Sequence, residues 1–183
     1  MKKGILLLII FFIASSTTPA FFNPINSTQD KNIILNEVNP FTYCCIRHKG
    51  PYSEMENIIS TLMYSMQRQN ITPQGPMITI YYNNPADVLP NALEWEIGFP
   101  VTPQTFAQTP LEKKQWNYRL VAVAMHIGPY EKSNQTITEI MDWIENNNYI
   151  QDGPILGKYL NMPSSTTKPE DIRTEIWIPC EKK

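Results

Sequence analysis

The chain is poor in the residues that most often announce a chemistry. Its three cysteines, Cys44, Cys45 and Cys180, do not make a disulfide framework, and no spacing among them resembles a zinc site. Adjacent cysteines on a strand point to opposite faces, so at most one of Cys44 and Cys45 is placed to bridge to Cys180. Histidine occurs only as His48 and His126. No basic stretch is long enough to follow a phosphate backbone, which argues against a nucleic-acid partner. The apolar run Gly4 to Ala14 has eleven residues, well short of the ~20 that a helix needs to span a bilayer.

That run follows Lys2 and Lys3 and precedes Ser15, Ser16, Thr17 and Thr18, with small residues suited to cleavage after Ser16 or Ala20. This is the layout of a secretory signal peptide over residues 1–20. It predicts a secreted or periplasmic protein with no stable membrane insertion after cleavage. No cysteine lies near the cleavage region, against a lipoprotein anchor. Loss of Lys2 and Lys3 leaves 13 basic against 17 acidic residues. The remaining length, roughly 160 residues, suits one domain or two small repeats with a real core. Asn26, Asn70 and Asn134 stand in Asn-x-Ser/Thr sequons, relevant to a eukaryotic host.

What the chain does have is a repeat. "HKGPY" at residues 48–52 returns as "HIGPY" at 126–130, an offset of 78. At the same offset Gly75-Pro76 becomes Gly153-Pro154, Tyr81 becomes Tyr159 and Pro85 becomes Pro163. After one inserted residue Glu96-Ile97 matches Glu175-Ile176 and Pro100 matches Pro179. These coincidences read as a duplicated unit. Each copy begins with a strand, "FTYCCIRH" or "YRLVAVAMH", rich in apolar and β-branched residues. Gly-Pro-Tyr breaks that strand and opens a helix. Met55, Ile58, Ile59, Leu62, Met63 and Met66 in copy one, and Ile137, Ile140, Met141 and Ile144 in copy two, have helical spacing and are expected in the core. Two further strands follow, "MITIYY" and "LEWEI" or "ILGKYL" and "TEIWI".

The expected fold class is therefore α+β: a duplicated β-α-β-β unit with a pseudo-twofold, forming a curved antiparallel sheet. Both helices lie on one face and a ligand cleft on the other. The boundaries are a tail over 21–40, repeat one over 41–100, a linker over 101–116 and repeat two over 117–180, within a domain of 41–183. The tail carries no helix-turn-helix pattern, so a complete transcription regulator is not expected.

Strand parity sorts the side chains. Thr174, Ile176 and Ile178 suit the helix-covered core, leaving Glu175 and Trp177 for the cleft. By the repeat, Glu94 and Glu96 join them, with Tyr81 and Tyr159 from the second strands. Ala122, Ala124 and His126, the smaller set of their strand, are expected to floor the cleft. The candidate ligand-binding residues are Tyr81, Glu96, His126, Tyr159, Glu175 and Trp177, with Tyr52 and Tyr130 at the rim. An aromatic box with carboxylates favours a small aromatic or amphipathic molecule through stacking and cation–π contacts. No catalytic residue, metal ligand or cofactor is assigned.

The ordered motifs "HKGPY…GPMITIYYNNP…LEWEIGFPV" and "HIGPY…GPILGKYLNMP…IRTEIWIPC" resemble the GyrI-like small-molecule-binding domain. That family is shared by gyrase inhibitory protein and the effector domains of some multidrug-responsive regulators. The resemblance covers about Phe41 to Cys180 and implies a ligand pocket between two β-α-β-β copies. The family commonly has a Glu two residues before the Tyr of its "Glu-x-Tyr-Leu" strand, facing the ligand. Here "LGKYL" puts Gly157 at that position, which implies a pocket less selective for cations and roomier. The resemblance also implies two alternatives. One is hydrolysis of reactive cyclopropane-type compounds, with Glu96, Glu175 or His126 as base. The other is haem or tetrapyrrole binding, as in the similarly duplicated SOUL family.

Overall fold

The computed structural model describes residues 32–129, 132–161 and 167–183. The leader read over residues 1–20, and the rim residue Tyr130, lie outside the described residues. Among the described residues no helix is long and apolar enough to cross a membrane. The elements in chain order are β1 (Ile34–Glu37), β2 (Phe41–Lys49), α1 (Met55–Arg68), β3 (Ile78–Tyr81), β4 (Glu94–Pro100), β5 (Glu112–Trp116), β6 (Leu120–Ile127), α2 (Asn134–Asn146), β7 (Tyr149–Gln151), β8 (Ile155–Tyr159) and β9 (Arg173–Lys182). One antiparallel sheet runs β1-β6-β9-β8-β3-β4-β2-β5, with β7 paired to β9.

This is the α+β architecture anticipated from the sequence, with the strand-helix-strand-strand order in each half. The halves meet through β3 and β8, where Thr79 lies directly opposite Gly157, its counterpart in the repeat.

The strand-to-helix corner explains why His-x-Gly-Pro-Tyr is written twice. Gly50 and Gly128 both take positive φ, 156° and 122°, which L side chains rarely adopt. A Cβ on Gly50 would also come within 2.7 Å of His48 Nε2. The following proline supplies the fixed φ that starts a turn. At the other end of each helix stands an asparagine in the left-handed region, Asn70 at φ 52° and Asn148 at φ 63°, which closes the helix as a glycine commonly does.

Directly opposed residues of antiparallel strands share a face, so the register defines two rows across the sheet. One row is Ile46, Ile97, Thr79, Gly157, Ile176 and Ala124. The other is Arg47, Glu96, Ile80, Leu156, Trp177 and Val123. The helices cover the two ends of the first row. Met55, Leu62 and Met66 of α1 bury against Cys44, Ile46, Trp95 and Ile97. Ile140 and Ile144 of α2 bury against Ala122, Ala124, Ile176 and Ile178. The second row is filled by the curving sheet itself, with Tyr43, Cys45, Ile78, Ile80, Trp116, Val121, Val123 and Leu156 in one cluster.

Several expectations are corrected. Met63 is 50% exposed, because it lies one position round the helix from buried Leu62. Residues 34–37, assigned to the tail, pair as β1 with β6, and 112–116, assigned to the linker, pair as β5 with β2. Ala122 and Ala124 floor no cleft. They lie under α2, where small side chains let a helix approach the sheet.

Candidate functional site

The same register divides the predicted site between two faces. Tyr81 opposes Trp95 and Tyr159 opposes Thr174, so both tyrosines lie on the helix side. Glu96 opposes Ile80, and Trp177 opposes Leu156, so Glu96, Glu175 and Trp177 lie on the other side. The parity within each strand was read correctly. The error lay in matching the faces of adjacent strands, which only the register supplies.

On the helix side α1 packs on β2 and β4, and α2 on β6, β7 and β9. The middle strands β3 and β8 therefore run along the gap between the helices. Their side chains on that face are Thr79, Tyr81, Gly157 and Tyr159. The hydroxyls of Tyr81 and Tyr159 are 3.0 Å apart. The Tyr52 ring, at the start of the turn into α1, stands edge-on to Tyr81 at 5.5 Å and to Trp95 at 6.1 Å. Two hydroxyls here, Thr79 Oγ1 and Thr174 Oγ1, are buried with no hydrogen-bond partner among the described residues. Such orphans are uncommon and call for a reason. A Cβ built on Gly157 meets nothing closer than 3.8 Å, the nearest atoms belonging to Thr174 and Tyr159. The strip is thus walled by aromatic rings and floored by hydroxyls, and among the described residues Glu96 and Glu175 lie on the other face.

His126 sits at the edge of this face but has nothing to offer a ligand. Its Nε2 donates to Pro129 O at 3.0 Å, and its Nδ1 is 3.0 Å from Thr136 Oγ1. The ring ties β6 to the start of α2. His48 ties the first corner through Nε2, 2.6 Å from Glu54 Oε2. These are turn-bracing contacts, and they leave the tetrapyrrole alternative without a free ring nitrogen on His126.

On the opposite face Glu96 is 1% exposed and surrounded by donors. Tyr43 Oη donates to Oε1 at 2.6 Å and Tyr82 Oη to the same oxygen at 2.7 Å. Lys114 Nζ donates to Oε2 at 2.5 Å, and Cys45 Sγ lies 3.6 Å from that oxygen. Burial pushes the Glu96 carboxyl up, but Lys114, Tyr43 and Tyr82 together outweigh it and hold it below the usual carboxylate range. Burial, reinforced by Glu96, in turn pushes the Tyr43 and Tyr82 phenols and the Cys45 thiol well above their ordinary values. A thiol so placed is a poor nucleophile. Glu175 accepts from Lys158 Nζ at 3.0 Å and Trp177 Nε1 at 3.2 Å, with Lys158 5.3 Å from the Trp177 ring centre. Neither carboxylate reaches the tyrosine strip, because the sheet stands between them.

Sequence reasoning missed Thr79 and Thr174 on one face, and Tyr43, Tyr82 and Lys114 on the other. Arg47 was the available signal for the second group: a cation matching apolar Met125 in the repeat shows that the two copies use this face differently.

The sequence matches the GyrI-like small molecule binding domain over residues 31–181. A comparison with curated proteins found no match. Among solved structures, the EcmrR C-terminal domain is similar at a TM-score of 0.74 and 18% identity, covering 84% of this chain and 99% of that one. A Listeria innocua hydrolase is similar at 0.63 and 14%, covering 82% and 92%. SAV2435, solved bound to tetraphenylphosphonium, is similar at 0.52 and 15%, covering 81% and 93%. At these identities the likenesses show the fold.

Proposed function

This chain belongs to the family of GyrI-like small molecule binding domains, and we propose that it holds a flat aromatic or amphipathic molecule over β3 and β8, between the helices. The observation that carries this reading is the pair of buried, partnerless hydroxyls of Thr79 and Thr174 beside Gly157 and the Tyr81–Tyr159 pair. A ligand with a polar edge satisfies those hydroxyls, while Tyr52 and Tyr81 flank its ring. With Gly157 in place of an acid, the strip takes neutral aromatics as readily as cations. A structural relative binds tetraphenylphosphonium, so that compound belongs in any test panel. A hydrolytic role for Glu96 or Glu175 on such a ligand is not favoured, since both lie across the sheet from it.

The leader over residues 1–20 supports export before binding, and the shared offset of motifs supports descent of the two halves from one duplicated unit. Mass measurement of protein recovered from outside the cytoplasm tests the first: a chain still beginning at Met1 refutes cleavage.

The binding test is thermal unfolding of wild type and Thr79→Val against neutral aromatics, aromatic cations, tetrapyrroles and lipids. Thr79→Val removes an unsatisfied buried hydroxyl, so the free protein should gain about 1 kcal/mol. The shift produced by a ligand should shrink. A gain in stability with an undiminished ligand shift would place the ligand elsewhere.

A further inference from the structure

The face away from the helices carries a concavity that the proposed function leaves unused. It is an open pocket of about 480 Å³ lined by Arg47, Tyr82, Lys114, Trp116, Tyr118 and Pro154, among others. That volume is within the range of roughly 300–1,000 Å³ usual for small-molecule sites. We propose that this pocket is a separate binding site for a small aromatic carboxylate.

Three observations support the choice of ligand. First, the charged side chains lining the pocket are Arg47 and Lys114, with no carboxylate among the lining residues. The nearby acids act on those cations. Glu94 binds Arg47 at 2.8 Å, and Glu96 and Glu112 bind Lys114 at 2.5 and 3.1 Å. Lys49 also binds Glu94, at 3.4 Å, so three cations meet three carboxylates and selectivity comes from directed donors rather than from net field. Second, those donors are not exhausted. A guanidinium has five N–H groups and an ammonium three. The bonds to Glu94, Glu96 and Glu112 leave Arg47 and Lys114 with N–H groups to present to an anion. The Arg47 guanidinium already lies over the Tyr82 ring, 4.7 Å from its centre, which orients it for a paired contact with a planar carboxylate. Trp116 Nε1 is buried with no hydrogen-bond partner among the described residues, a further unused donor beside the pocket.

Third, the walls are aromatic and shaped for a ring. Tyr118 meets Trp116 edge-on at 4.9 Å. It is seated on Gly153, where a Cβ would come within 2.5 Å of its ring. The glycine of the second Gly-Pro turn thus makes room for a pocket wall.

An aromatic cation would find the nearby carboxylates already held by Arg47 and Lys114, so this pocket favours an acid where the tyrosine strip makes no such choice. The test is calorimetric titration of the full chain with 2-naphthoate and with its neutral isostere 2-naphthamide. The expected result is binding of the acid at least tenfold tighter than the amide. Arg47→Gln, at an exposed side chain whose loss leaves the fold intact, should weaken naphthoate at least tenfold. Tyr118→Ala should weaken naphthoate. Thr79→Val, altering only the other face, should change naphthoate affinity less than twofold. No binding of naphthoate to the wild type, equal affinity for acid and amide, indifference to Arg47→Gln, or loss on Thr79→Val would each overturn the proposal.

Discussion

Glu96 shows at the scale of a single residue how burial and donors compete. Its carboxylate gives up water entirely and receives two phenol O–H groups and an ammonium in return. Breaking a buried pair by neutralising one member destabilises by about 3 kcal/mol, so Glu96→Gln should lower the midpoint of urea unfolding accordingly. The pH dependence has a definite sign. The folded carboxyl is held below its usual range, so its stabilisation is complete above the unfolded pKa of about 4.3 and is lost as pH falls through the lower folded value. A plot of unfolding temperature against pH should drop on the acid side for wild type and flatten there in Glu96→Gln. Gly157 permits the converse experiment. A Cβ at that position meets its neighbours only at ordinary contact distance, and Gly157→Glu should raise affinity for tetraphenylphosphonium about tenfold while lowering the stability of the free protein. Unchanged affinity would mean that the cation does not lie over β8. At this scale the sequence disclosed residue types better than residue company. Tyr81, Tyr159 and Tyr52 were identified as candidates and do stand near one another, but Glu96, Glu175 and Trp177 were grouped with them across a sheet. Alternation sorts a single strand into two faces without saying which face of its neighbour is the same one.

At the scale of elements, close approach matters more than propensity. A Cβ on Gly98 would overlap the Cys44 carbonyl oxygen and come within 2.8 Å of Cys45 Cα. These are backbone atoms of the paired strand and cannot turn aside. Gly98→Ala should therefore cost about 3 kcal/mol, read from chemical denaturation, and a loss below 1 kcal/mol would show that β2 and β4 slide apart easily. The central strands and both helices could be read from apolar spacing because packing on their neighbours imposes it. The edge strands could not. β1 is exposed along its length, and "EKKQW" of β5 buries only its final tryptophan, so neither has a hydrophobic alternation to detect. Asn70 and Asn148 were legible in principle: an asparagine at the same offset in both copies, just past each helical pattern, is a helix terminator.

Across residues 32–183, much of the sheet is buried on both faces, by helices at its two ends on one side and by a core of its own side chains on the other. Each half is joined to the other through β3 and β8, so urea should unfold residues 32–183 in one transition by both fluorescence and circular dichroism. Two separated transitions would show halves that fold independently. A ligand at a hundredfold excess over its Kd should add about 2.7 kcal/mol to that single unfolding free energy. The overall architecture was the most legible level, because an offset kept through turns, helices and strands dictates which segments correspond and hence how they can pair.

The pairing of Thr79 with Gly157 carries one more consequence. A molecule resting over an axis of near-symmetry is offered every contact twice, once from each half, and so has two equivalent ways to lie. Here the halves differ where it counts. Thr79 faces a glycine, and Thr174 stands where the other copy has Trp95. For a ligand held as proposed, those two differences would remove the degeneracy and give a lopsided molecule one preferred pose, head and tail told apart.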